Sequence, residues 1–176
     1  MKKNFELMAK YNQWMNQNLY NSALQLSNEK LNENQGAFFG SIIGTFNHII
    51  VADIIWLKRF ANHQSKYKSL DFINTIETPT SLNKMINENL QELKVLREKL
   101  DELIVSFILE IKEEDFELNL SYKDTKGKGF TKDFSFLLQH FFNHQTHHRG
   151  QITTLLNQNG VDFGVTDLNF IIPSID

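Results

Sequence analysis

The chain has 176 residues, 41% of them hydrophobic and 22% charged, with a net charge of −3. That is the mixture of a folded globular protein long enough to bury a core. No long Lys/Arg run marks nucleic acid as the main partner, and no window approaches the roughly 18 apolar residues of a membrane span. Cysteine is absent, so no disulfide and no protein thiolate can form, and a metal site must use nitrogen and oxygen ligands.

The N-terminal "MKKNFELMAKYNQ" turns polar too early for a signal peptide, so a cytoplasmic location is expected. A first helix is predicted from about Asn4 to Leu26, with Phe5, Met8, Tyr11, Met15, Leu19 and Leu26 mostly at three- and four-residue steps. "SNEKLNENQG" is a polar connection. A second helix, about Ala37 to Ala61, contains "FFGSIIGTFNHIIVADIIWLKRF" and is apolar on most of its circumference, which predicts burial. Residues 62–78 read as loop. Thr80 or Ser81 then offers a cap for a third, more charged helix reaching about Leu109.

Beyond it the period changes. "FELNLSY" alternates apolar and polar, "KDTKGKG" carries turn glycines and "FTKDF" returns, which predicts a small β-hairpin or extended excursion. A fourth helix, about Asp133 to Gln158, ends before Gly160 in the position of a C-terminal cap, and one more short turn is expected in the tail "VTDLNFIIPSID". The only prolines are Pro79 and Pro173, no repeat is evident, and the economical reading is a single all-α domain over 1–176, a four-helix bundle.

The fourth helix contains "HFFNHQTHHRGQ", four of the chain's six histidines within nine residues. With His140 at zero on a helical wheel, His144 falls near ~40°, His147 near ~−20° and His148 near ~80°, while the apolar residues Phe134, Leu137, Phe141, Ile152 and Leu155 lie between ~60° and ~120°. His148 thus points into the buried stripe and His144 lies at its edge. His140 and His147 fall outside. Buried imidazoles need a hydrogen bond or a metal, and two at i and i+4 can converge on one ion. Zinc-like ions usually take at least three protein ligands. Of the two remaining histidines, His63 sits in a polar loop. His48 sits mid-helix beside the small residues Ser41, Gly44, Thr45 and Ala52, which leave volume near its ring. The candidate ligands are therefore His48, His144 and His148. A dinuclear carboxylate site would need Glu-x-x-His pairs, of which there are none, and a zincin would need a glutamate where Gln145 stands.

Four stretches, "AKYNQWMNQNLY", "GSIIGTFNHIIVADIIWL", "SYKDTKGKGFT" and "FNHQTHHRGQITTLLNQNG", resemble the DinB-like (DinB/YfiT-like) metalloprotein family over nearly the whole chain. The resemblance implies an up-down-down-up four-helix bundle and a three-histidine divalent-metal site, with His48 matching the histidine of the second helix and His144 and His148 the pair before Arg-Gly-Gln. It also implies two lines of chemistry, transfer of low-molecular-weight thiols (bacillithiol- or mycothiol-dependent) and less defined hydrolase activities. The preferred expectation is a metal-dependent thiol S-transferase taking a small-molecule thiol and an electrophile, in a homodimer. A non-catalytic metal-binding or stress-response bundle and a metal-dependent hydrolase are the alternatives. Three imidazoles suit Zn²⁺, Ni²⁺, Mn²⁺, Fe²⁺ or Cu²⁺ alike. Asp53 is the nearest carboxylate to the candidate ligands. Arg149 and Gln151 are read as hydrogen-bonding supports, Gly150 as a point of close helix packing, and Tyr11, Trp14 and Trp56 as core or pocket-mouth aromatics.

Overall fold

A computed structural model describes residues 1–175. Four long helices carry it: α1 (Lys2–Ala23), α3 (Ile42–Phe60), α4 (Leu90–Glu110) and α5 (Phe134–Gln158), with a short α2 (Asn28–Asn32) in the first connection. Strands β1 (Asn119–Lys123) and β2 (Gly129–Asp133) form a two-stranded antiparallel sheet, with Tyr122 opposite Phe130 and Ser121 opposite Thr131. Short 3₁₀ turns fill Lys68–Thr75, Glu113–Glu117 and Leu168–Ile171. An all-α bundle with a small sheet inserted before the last helix therefore describes the molecule. No helix among the described residues is long and apolar enough to cross a membrane.

The helices form where apolar residues recur with helical spacing. Phe5, Ala9, Met15, Leu19 and Ala23 make the buried side of α1, and α3 is buried along most of its length, from Ile42 to Phe60. α1 packs on α4 and α5, and α3 packs on α5. Between them Phe46, Phe60, Phe107, Phe134, Phe141 and Phe142 are almost entirely sequestered and belong to one contiguous apolar cluster. Truncating any of these to alanine would cost about 3–5 kcal/mol by the usual cavity cost.

Two helix starts differ from the sequence expectation, and both differences shape the site. The second long helix begins at Ile42, five residues after Ala37, because Ser41 caps it: Ser41 Oγ accepts the Gly44 amide at 3.1 Å. Gly40, at φ +78°, supplies the left-handed turn that brings the chain round to that cap. The third predicted helix, α4, begins at Leu90 rather than after Thr80 or Ser81. Asn89 is its cap, with Oδ1 accepting the amides of Gln91 and Glu92 at 2.9 and 3.2 Å. Residues 78–88 instead run as a loop across α3. Asn47 anchors that loop: its Oδ1 accepts from the Ile86 and Asn87 amides at 2.7 and 3.0 Å, and its Nδ2 donates to the Asn87 carbonyl at 2.9 Å. Gly160, at φ +72°, follows Asn159, the C-cap of α5, as expected of a helix stop, and Asn159 Nδ2 donates to Gln35 Oε1 at 2.8 Å near the start of α3.

Candidate metal centre

α3 presents His48 and α5 presents His144 and His148 to a common point. One ring nitrogen from each lies within 4.8 Å of the other two. His48 and His148 are buried and His144 is half-buried. The His48 and His144 Nε2 atoms are 3.2 Å apart. Tetrahedral ligation at the ~2.0–2.1 Å usual for Zn–N bonds needs donor atoms about 3.3 Å apart, so this pair already has the spacing.

The tautomers are set from outside the cluster. His48 Nδ1 lies 2.8 Å from the Leu82 carbonyl, and His148 Nδ1 lies 2.7 Å from Gln151 Oε1. A carbonyl oxygen can only accept, so each Nδ1 carries the proton and each Nε2 keeps its lone pair for the common point. Without an ion, the His144 Nε2–H can donate to His48 Nε2. All three imidazoles are held neutral: burial pushes the pKa of each below the ordinary 6.5, and neighbouring imidazoles push in the same direction at His144 and His148. His144 falls furthest, to about 3, through burial first and then its neighbours His148 and His48. Neutral, inward-facing imidazoles with fixed tautomers are the donor set a divalent cation takes. The residues fit an ion.

Phe39 closes one side. Its ring stacks on His48 at a centroid distance of 3.8 Å and meets His148 edge-on at 5.5 Å. The open volume expected from small neighbours of His48 is thus partly filled. Gly44 is the reason Phe39 can sit there, since a Cβ at that position would collide with the Phe39 carbonyl oxygen. The other sequence candidates go elsewhere. His140 and His147 are exposed, as the wheel places them. His63 is buried against Tyr67 and Phe134, away from the cluster. Tyr11 donates to the Thr166 carbonyl at 2.5 Å, and Trp14 stacks on Phe170. Trp56 packs against His140 and Tyr122. Gly150 is exposed, and a Cβ there would meet nothing, so it marks no close helix contact.

A model of the DinB family matches residues 1–173. The chain belongs to the DinB family. It is 26% identical over 165 residues to Protein DinB of Bacillus subtilis (strain 168), an alignment covering 91% of this chain and 88% of that protein. No solved structure matches.

In this family member the fixed ends of α3 and α5 depend on groups the sequence reading treated lightly. Asp53, buried, accepts from Gln145 Nε2 at 2.7 Å and pairs with Arg97 of α4. Gln145 adjoins His144, so this bond locks α5 against α3 beside the cluster. Arg97 Nη2 lies 3.0 Å from Asp101 Oδ1 without forming a hydrogen bond, so that link is ionic. Asp101 Oδ1 also accepts from Asn12 and Asn16 of α1 at 3.0 and 2.9 Å, and Arg149 of α5 donates to Asn12 Oδ1 and, at 3.2 Å, to Thr146 Oγ1. Burial pushes Asp53 and Asp101 upward, Asp101 to about 6, while the Arg97 guanidinium pulls both back. Arg149 thus supports the helices rather than the histidines, whereas Gln151 bonds His148 directly. Arg97, Asp101, Asn47 and the Leu82 carbonyl had no role in the sequence reading.

Proposed function

We propose that this DinB-family protein is a metal-dependent thiol S-transferase in which His48, His144 and His148 hold one divalent ion. The convergence of three neutral imidazoles, two with Nδ1 already committed to a carbonyl, carries the reading. A bound ion of this kind supplies Lewis acidity, lowering the pKa of a thiol or water that reaches it. The chain's own residues do the rest. Leu82 and Gln151 hold the ligand rings in orientation, Phe39 keeps bulk water from one side of the cluster, and the Asp53–Gln145 bond fixes the helix spacing. Because the chain has no cysteine, the thiol must come from a small-molecule cosubstrate.

The choice of transfer over hydrolysis rests on Asp53. Hydrolysis needs a base for water, and both oxygens of the nearest carboxylate candidate are taken, by Gln145 and by Arg97. A second reading, a metal-holding bundle without turnover, draws on Phe39, whose ring covers one flank of the cluster. A cytoplasmic location and a single domain over 1–176, from the sequence pattern, and a homodimer and the up-down-down-up helix order, from the family resemblance, belong to the same proposal. The test is to load the protein with Zn²⁺, Ni²⁺ or Mn²⁺ and incubate it with low-molecular-weight thiols and monochlorobimane. Turnover well above that of His148→Ala is expected. Equal rates with every thiol and metal would remove the transferase reading and leave the second one.

A further inference from the structure

An open cavity of about 660 Å³ lies between α3, the loop at Thr78–Thr80 and the β1–β2 hairpin, of a size that suits a small organic molecule. Three cationic side chains line it, Lys58, Arg59 and Lys123, against one carboxylate, Asp124. That carboxylate is turned to the hairpin: its Oδ1 accepts the amides of Lys126 and Lys128 at 2.8 and 2.9 Å. Among the described residues, neither lysine nor Arg59 forms an ion pair. Arg59 is nonetheless held in place, with its guanidinium carbon 4.5 Å from the Trp56 ring centroid and 4.8 Å from that of Tyr122. The two ring centroids are 5.4 Å apart, so both rings lie on one side of the guanidinium and leave donors on the other for an acceptor.

Three features of the chain link the cavity wall to the histidine cluster. Ile55, in its wall, is seven residues beyond His48 on the same face of α3, about 10 Å along the helix axis. The loop that passes through Thr80 continues to Leu82, whose carbonyl orients His48. Trp56, beside Arg59, contacts the His140 ring at 5.1 Å, and His140 lies 6.1 Å from His144.

We propose that this cavity seats the anionic end, a carboxylate or phosphate group, of the substrate or thiol cosubstrate whose reacting end reaches the histidines. Reach to the histidines rests on the metal-centre reading above; anion capture by Arg59, Lys58 and Lys123 does not. An oxyanion meets donors and net positive charge there, with an aromatic wall on the way to the cluster.

The experiment uses the full chain, metal-free, carrying Trp14→Phe so that Trp56 alone reports fluorescence. Inorganic phosphate and succinate are titrated separately at ionic strength fixed with NaCl. A saturable change with at least one of them is expected, phosphate preference assigning a phosphoryl group and succinate preference a carboxylate. Affinity should fall at least tenfold in Arg59→Met and in Lys58→Met/Lys123→Met, the latter deciding the matter should Arg59→Met not fold. Metal-free His148→Ala should bind the anion as the parent does, and in a separate Zn²⁺ titration it should bind the ion far more weakly than the parent, which separates failure of the metal reading from failure of this one. No saturable change with either anion, unchanged affinity in the lysine variant, or loss of anion binding in His148→Ala would overturn the assignment.

Discussion

Around Arg97, where α1, α3, α4 and α5 meet, Asp53, Asp101 and Arg149 bring charges of both signs into ionic or hydrogen-bonding reach, with Asn12, Asn16 and Gln145 completing the set. Little more than a turn along α3, His48 faces His144 and His148, and among the described residues no carboxylate lies within ion-pair distance of the three. Both clusters are polar and buried. The first is closed, because each carboxylate has a cation and each guanidinium an acceptor. The second is open, because its lone pairs converge and only a proton or a cation can answer them. Charge in the first cluster is answered from within the protein, even though Arg97 Nε and Nη2 and Gln145 Oε1 lack hydrogen-bond partners. The second cluster converges lone pairs with no cationic side chain among them, so the first reads as structure and the second as a site.

The contrast can be broken from either side. The largest effect is expected in the closed cluster. Arg97→Met would leave Asp53 and Asp101 buried without their guanidinium, and removing one partner of a buried pair costs about 3–5 kcal/mol. Urea unfolding should show that loss; a loss below 1 kcal/mol would mean the cluster is not charged as described. In the open cluster, Gln151→Leu removes the acceptor that fixes His148. Metal affinity should fall about 10–100-fold, or ~1.4–2.7 kcal/mol, with the fold intact. Calorimetric titration measures it, and an unchanged affinity would show that Gln151 does not set the tautomer.

Acidification separates the clusters by sign. His144 has its folded pKa far below the ordinary 6.5, at about 3, so below pH 6.5 the unfolded chain takes up a proton that the folded one refuses. Its contribution to metal-free stability is therefore fully present above pH 6.5 and declines as pH falls towards 3. Asp101, raised to about 6 from 3.8, acts oppositely, favouring the folded state below that range and losing the contribution as pH rises through 6. Comparing wild type with His144→Asn isolates the histidine: the variant should lose less stability between pH 6.5 and 5. Histidine NMR should show no titration of His144 in that interval. The smallest effect belongs outside both clusters, where Lys94→Ala breaks an exposed i,i+4 pair with Glu98 and should cost only ~0.3–0.5 kcal/mol in the same unfolding assay.

The open cluster was more legible in the sequence than the closed one, for a physical reason. Imidazoles are rare, and His144 and His148 share a helical face with Phe141 and Ile152, so periodicity alone turns them inward. Arg97 and Asp101 stand in "LREKLDE", where charges occupy most positions, and nothing in the spacing distinguishes the two that enter the core from those that stay in water. The Leu82 carbonyl could not be seen at all, because every residue carries one; its role depends on residues 78–88 remaining a loop. That in turn depends on Asn89 capping α4 where Thr80 or Ser81 offered an earlier start, and on Asn47 holding the loop to α3. Phe39 was read as part of a helix, and only the Ser41 cap frees it to lie over His48.

The most direct test of the metal centre is elemental analysis of untagged protein, as purified and after incubation with Zn²⁺, Ni²⁺ or Mn²⁺ followed by desalting. About one ion per chain should be retained, and His48→Ala and His148→Ala should retain almost none while keeping wild-type helicity. A stoichiometry near zero that no added metal restores, or full retention in both variants, would contradict it.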